Sequence, residues 1–230
     1  FNKVKDNSMK KLLLTLVFSL FYVVSASAEM GINVGVSGNA GLFSATGNEK
    51  TGTVTKDNGS EHGEAAWGSV FLEATINDKF MIGIDYVPAA LETETAESTR
   101  VNTTHDVTGA ATSTAANNKI QLDFENLTAV YAGFMLNDNL YIKAGAMHVD
   151  VATNENLGTG ASYGDFDLSG SMFGVGYHNV MDNGVFFRVE GTYMEFDGTT
   201  KASTGTDADN SIQLKSLDGL AGKFSLGKTF

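Results

Sequence analysis

The chain has 230 residues, among them 26 glycines, one proline and no cysteine, and 27 acidic residues oppose 15 basic ones for a formal net charge of −12. The missing cysteines exclude a disulfide scaffold and any thiolate-ligated zinc or iron–sulfur site. The acidic balance argues against nucleic acid as a partner, and no apolar run reaches the roughly 18 residues of a membrane-crossing helix.

The first segment sets the compartment. Met9-Lys10-Lys11 is followed by an apolar run from Leu12 to Val24 and then Ser25-Ala26-Ser27-Ala28. A basic start, a short hydrophobic stretch and a small-x-small exit read as a secretory signal peptide over residues 9–28, cut after Ala28. Residues 1–8 read as upstream translation rather than protein. Residues 1–28 hold four lysines and one aspartate, so the mature chain 29–230 has 202 residues with 11 basic and 26 acidic groups, net −15.

From there the apolar residues repeat every second position, the period of a half-buried strand. Ile32, Val34, Val36, Ala40 and Leu42 share one parity. So do Val70, Leu72, Ala74 and Ile76, then Phe80, Ile82, Ile84 and Tyr86. The fourth segment carries Ile120, Leu122, Phe124, Thr128, Val130, Ala132 and Phe134, and the fifth Leu140, Ile142, Ala144 and Ala146. Phe173, Val175 and Tyr177 form the sixth, Val185, Phe187, Val189, Gly191 and Tyr193 the seventh, and Leu220, Phe224, Leu226 and Phe230 the eighth. No segment has a helical stripe.

Connections alternate in length. Asn77-Asp78-Lys79, Asn137-Asp138-Asn139 and Asn179 to Gly184 are tight, while 45–65, 90–118, 152–167 and 198–211 are long, polar and acidic. Short turns at one end and long loops at the other predict an all-β, eight-stranded antiparallel up-and-down transmembrane β-barrel, with turns in the periplasm and loops outside. A closed barrel pairs every backbone group in hydrocarbon. Eight strands enclose a space that side chains can fill.

The opposite parity then faces the lumen. It carries Glu73, Asp85, Lys119, Asp123, Glu125, Lys143, Arg188, Glu190, Lys215 and Lys223, with Lys79 at a turn edge. Such charges require pairing or hydration. Glu73, Lys143, Arg188 and Glu190 form the sharpest constellation: a register-fixing ion network on one reading, a gate on the other. Two strands slip phase, the fifth at Met147, Val149 and Val151 and the eighth at Asp218 after Ile212 and Leu214; a β-bulge near each would account for both.

With its signal segment, eight strands, alternating loops, Arg188-Val189-Glu190 and terminal Phe230, the chain resembles the opacity-type, OmpA-like family of small outer-membrane barrels, sometimes grouped with porins. The resemblance implies a cell-envelope protein of the bacterial outer membrane. It also implies that Phe224, Leu226 and Phe230 are read as the C-terminal signal by the barrel assembly machinery. Lys228 departs from the apolar residue usual at its position.

Chemistry is sparse. His62 and His105 lie in long loops, His148 and His178 at opposite strand ends, with no metal-ligand spacing among them. Asp57-Asn58-Gly59 and Asp207-Ala208-Asp209 are oxygen-rich but do not follow the calcium-loop pattern. Trp67, Tyr86, Tyr141, Tyr177 and Tyr193 are candidates for interfacial girdles. No nucleophile stands beside a base. The expectation is a monomeric, non-enzymatic barrel without cofactor or metal. Its partners are outer-membrane lipids and, through its acidic loops, an extracellular ligand. The alternatives are a small porin for ions or small solutes, and a lipid-modifying enzyme.

Overall fold

The computed structural model describes residues 30–51, 54–105, 111–158, 161–205 and 210–230. The expected signal segment and Asp207-Ala208-Asp209 lie outside them. The strands are β1 (Met30–Thr51), β2 (Val54–Ile76), β3 (Phe80–Tyr86), β4 (Leu91–Glu92), β5 (Ala96–His105), β6 (Ala111–Met135), β7 (Leu140–Leu157), β8 (Phe166–Val180), β9 (Val185–Phe196), β10 (Thr199–Ala202) and β11 (Asn210–Thr229). Eight of them, β1, β2, β3, β6, β7, β8, β9 and β11, follow one another antiparallel around a ring that β1 and β11 close. The seam runs from Asn33 opposite Thr229 to Thr51 opposite Asn210. Ile32 and Phe230 finish it with reciprocal backbone bonds of 3.0 and 2.8 Å. The expected all-β, eight-stranded up-and-down barrel is what the chain forms.

The short turns have identifiable chemistry. Asn77 and Asp78 sit at φ 51° and 53°, and Lys79 N–H donates to Ile76 O at 3.1 Å. Two consecutive left-handed residues make a type I′ turn, whose twist suits a hairpin. Between β8 and β9, Gly184 N–H donates to Met181 O at 2.9 Å with Gly184 at φ 80°. There a β-carbon would also come 2.9 Å from Thr229 O.

Alternate side chains form an exposed apolar belt that includes Val34, Val36, Leu42, Leu72, Phe80, Phe134, Phe173, Val189, Leu220, Phe224 and Leu226. From Ile32 to Leu42, about ten residues rising ~3.3 Å each at ~40° tilt span roughly 25 Å, the height of a lipid-facing band. Tyr86, Tyr177 and Tyr193 share this outward parity, whereas Tyr141 is buried in the lumen and the half-buried Trp67 packs against its apolar cluster.

Several expectations need correction. Two of the four long connections are largely strand: β1 and β2 continue as a hairpin to Thr51 and Val54, and β5 pairs with the start of β6 from Ala96–Ile120 to His105–Ala111. These segments are polar on both faces because neither face is covered, so they carry no period-two signal. The bulge expected in the fifth strand lies instead in its partner: Glu125 opposes Asp150 but Thr128 opposes His148, so β6 holds one extra residue at Asn126-Leu127. Asn126 absorbs it at φ 54°. β7 keeps one phase throughout, and Met147, Val149 and Val151 are buried because the lumen itself turns apolar there. The bulge expected in the eighth strand is present, at Lys215, where Thr46 opposes Ser216 but Gly47 opposes Leu214.

The β6 bulge reverses the faces beyond it. Leu122 and Phe124, expected outward, pack against the interior cluster. Lys119, Asp123 and Glu125, expected inward, are outside: Lys119 bonds Glu97 at 2.6 Å with side chains 52% and 62% exposed, Asp123 accepts from Asn154 at 2.7 Å, and Glu125 is exposed. Lys215 and Lys79 are exposed as well. Leu214, expected outward, also packs against the cluster.

Candidate functional site

The lumen is layered along its axis. At the turn end a vestibule of about 480 Å³ is lined by Asn33, Thr75, Met81, His178, Arg188 and the turn residues. Its inner wall is the first ion pair. The Arg188 guanidinium grips Glu73 through Nη1–Oε2 at 2.8 Å and Nη2–Oε1 at 2.6 Å, and its Nε donates to His178 Nδ1 at 2.7 Å. Glu73 also accepts from Asn33 Nδ2 at 2.8 Å and Tyr131 Oη at 3.0 Å. Phe186 backs the cluster, with Arg188 4.7 Å from its ring centre and His178 stacked on it at 4.9 Å.

The second pair is Lys143 Nζ to Glu190 Oε1, 2.8 Å. Glu190 further accepts from Tyr141 Oη and Thr192 Oγ1, each at 2.7 Å. Lys223 bonds Asp85 as a third pair. Tyr131 and Tyr141 connect the first two: Tyr131 donates to Glu73 while Lys143 lies 4.3 Å over its ring, and Tyr141 donates to Glu190 with Arg188 5.5 Å from its ring. Space for these rings comes from glycine: a β-carbon on Gly83 would sit 2.6 Å from Tyr131.

Glu73, Lys143, Arg188 and Glu190 therefore all meet in the lumen, each at most 5% exposed. They form two distinct pairs. Asp85 and Lys223 were expected inward but not as part of the set. His178, expected at a strand end, is buried beside Arg188. Asn33, Tyr131 and Tyr141 were also missed. Their inward parity was a usable signal, but which acid meets which cation across the lumen depends on shear, which sequence does not carry.

Beyond the ion layer lies an apolar one: Met147, Val149, Val151, Leu168, Met172, Met194, Phe196, Leu217 and Ala221, with Phe43, Trp67, Leu122 and Phe124 packed against them. The wall around this layer is incomplete. β3 pairs with β2 only from Val70–Tyr86 to Ile76–Phe80. The chain then leaves β2, and its continuations β4 and β5 pair with β6. Among the described residues no pairing joins β2 above Val70 to β4 or β5, which leaves a notch beside the apolar layer.

Among the described residues no group of three or more His, Asp or Glu is arranged to hold a metal ion. His148 faces outward and meets Asp150 at 3.3 Å; His62 is exposed on β2 rather than in a loop. Phe224, Leu226 and Phe230 are exposed on the outward face, and Lys228 sits 5.3 Å over the Phe230 ring.

The nested layers and apolar exterior can be set against known proteins. The outer membrane protein OprG from Pseudomonas aeruginosa superposes with a TM-score of 0.51 at 10% identity, over 87% of this chain and 96% of that one. The fold is that of an outer-membrane β-barrel. Ail, the attachment invasion locus protein of Yersinia pestis, aligns over 86% of this chain and 98% of its own at 12% identity with a TM-score of 0.35. No family model and no curated protein sequence matches the chain, so the opacity-type, OmpA-like assignment gains no support beyond the shared architecture.

Proposed function

We propose that the protein is a non-enzymatic barrel of the bacterial outer membrane, sealed to ions and polar solutes, whose working parts are the surfaces it presents outside. The observation that carries this is the filled lumen. Three ion pairs, tied by tyrosines, block its turn half, and a packed apolar cluster blocks the other half. A conducting pore needs a continuous wet path, and neither layer offers one. The strands β1, β2, β5 and β6 run on well past the apolar belt as polar hairpins, which supplies an interaction surface in place of a channel. Liposomes loaded with refolded protein are expected not to swell in arabinose; swelling above protein-free vesicles overturns the seal. Incubation with outer-membrane lipids is expected to yield no cleaved or acylated product by mass spectrometry.

The notch supports a second reading, in which small apolar molecules enter the apolar layer from the outside or from the membrane. Trp67, the chain's single tryptophan, packs against this layer beside Phe43, 5.9 Å between ring centres. Bromobenzene, a heavy-atom quencher, then quenches Trp67 saturably; linear quenching, as for exposed indole, contradicts entry.

A further inference from the structure

The wall of the barrel dips at β8 and β9. β7 runs outward to Leu157 and β11 to Asn210. β8, by contrast, begins only at Phe166, opposite Val151, and β9 ends at Phe196, opposite Gly170 and Leu217. Leu168, Met194 and Phe196 on these two short strands belong to the apolar layer, and Phe166 packs against it. Left uncovered, the layer opens to the outside here.

A short segment supplies the cover. Residues 161–165 cross the dip from β7 to the end of β10. On the β7 side one carboxylate oxygen holds them: Glu155 Oε1 accepts from Ser162 Oγ at 2.7 Å, Tyr163 N–H at 2.8 Å and Gly164 N–H at 3.3 Å. Asp165 Oδ1 accepts from Thr153 N–H at 2.8 Å. On the β10 side Ser162 N–H donates to Ser203 Oγ at 3.1 Å, and Ser162 O accepts from Thr204 N–H at 2.6 Å. Gly164 turns the segment at φ 65°, an angle that glycine adopts without strain.

The latch has an opposing term directly beneath it. Thr153 and Glu155 face inward, opposite Leu122 and Ile120, and Asn118 lies on the same face one step further out, opposite Leu157. Thr153 Oγ1, Glu155 Oε2 and Asn118 Oδ1 are each buried without a hydrogen-bond partner. A buried acceptor left unpaired is unfavourable, more so on a charged group. Lifting the segment wets these oxygens and breaks the bonds listed above, so gain and loss oppose each other at one place.

We propose that residues 161–165 are a gate. They alternate between the latched position and an open one, in which Glu155, Thr153 and Asn118 are hydrated and the apolar layer faces the outside at β8 and β9. The ion layer lies further in and stays shut in both positions, so the gate exposes the apolar layer without opening a path for ions.

The test is amide hydrogen exchange, followed by NMR on the full chain in lipid nanodiscs. The amides of Ser162, Tyr163 and Thr204 are bonded only in the latched position. They are expected to share one rate, about ten-fold or more above that of the β8 amides from Met172 to Val175, as a local opening requires. Thr153→Val keeps the side-chain shape and removes one unpaired acceptor, so all three amides are expected to slow by about ten-fold. Glu155→Ala removes the latch, and the same amides are expected to speed up by about ten-fold. Folding of each variant is checked by heat-modifiable gel mobility; if Thr153→Val does not fold, Asn118→Leu removes a second unpaired acceptor and carries the same expectation. Wild-type amides that exchange as slowly as those of β8, or at three unrelated rates, overturn the gate. So does a folded Thr153→Val or Asn118→Leu chain in which they exchange as fast as in the wild type or faster, and so does a folded Glu155→Ala chain with unchanged rates.

Discussion

Arg188 uses three nitrogens on two partners, Glu73 and His178, and is itself buried. A buried pair of this kind is weak evidence of net stability, but breaking it is costly, because the remaining charge stays buried and uncompensated. Arg188→Ala is therefore expected to destabilise the barrel by about 3–5 kcal/mol in urea unfolding from lipid. Replacing the pair together, Arg188→Met with Glu73→Leu, is expected to cost distinctly less. Equal losses in the two variants would mean that the pair acts only through its packing. At the other extreme of burial, Asn77 at φ 51° tolerates glycine but not a β-branched residue. Asn77→Val is expected to cost about 1–2 kcal/mol, read in the same titration against Asn77→Gly.

At the scale of elements, β6 shows where periodicity informs and where it misleads. Its apolar residues from Ile120 to Phe134 sit on one parity in sequence, yet Asn126 inserts a residue and sends Leu122 and Phe124 inward while Val130 and Phe134 stay outward. The only mark in the pattern is local, a polar Asn126 on the apolar parity followed by Leu127 on the other, because both halves are apolar on the same parity and only the face beneath them changes. β7 misled in the opposite direction: its shift at Met147 looked like a slip, but it records a real change from a charged to an apolar lumen. The turns were legible because Asn77-Asp78 and Asp182-Asn183-Gly184 have their own backbone chemistry. The hairpin extensions were not, since an uncovered strand and a polar loop have the same composition. A cysteine-free chain makes the bulge easy to test. With single cysteines introduced at 123, 124 and 125, a membrane-impermeant maleimide is expected to label Asp123→Cys and Glu125→Cys quickly and Phe124→Cys slowly. Fast labelling of Phe124→Cys alone would place the bulge elsewhere.

For the molecule as a whole, the lumen charges are divided between the two halves of the chain. In the ion layer, Glu73 on β2 and Asp85 on β3 are anionic, whereas β7, β9 and β11 supply Lys143, Arg188 and Lys223 together with Glu190. Two of the three pairs, Glu73–Arg188 and Asp85–Lys223, thus join the halves across the lumen, and closure of the ring is expected to depend on them. Glu73→Arg or Arg188→Glu alone is expected to abolish the folded, heat-modifiable gel band, and the double swap to restore part of it. If the double swap behaves as badly as either single variant, pairing across the lumen is not what closure requires. The sequence already located these charges on inward faces and the acidic surplus outside. The layering itself, with ions at the turn end and apolar packing beyond, appeared only when shear and the β6 bulge set which residues share a level. The same layering carries the central claim, that the lumen is shut twice by different chemistry. Planar-bilayer recording of the refolded chain tests it most directly: the account predicts no discrete conductance at moderate voltage, and a stable, reproducible open channel in the wild type would contradict it.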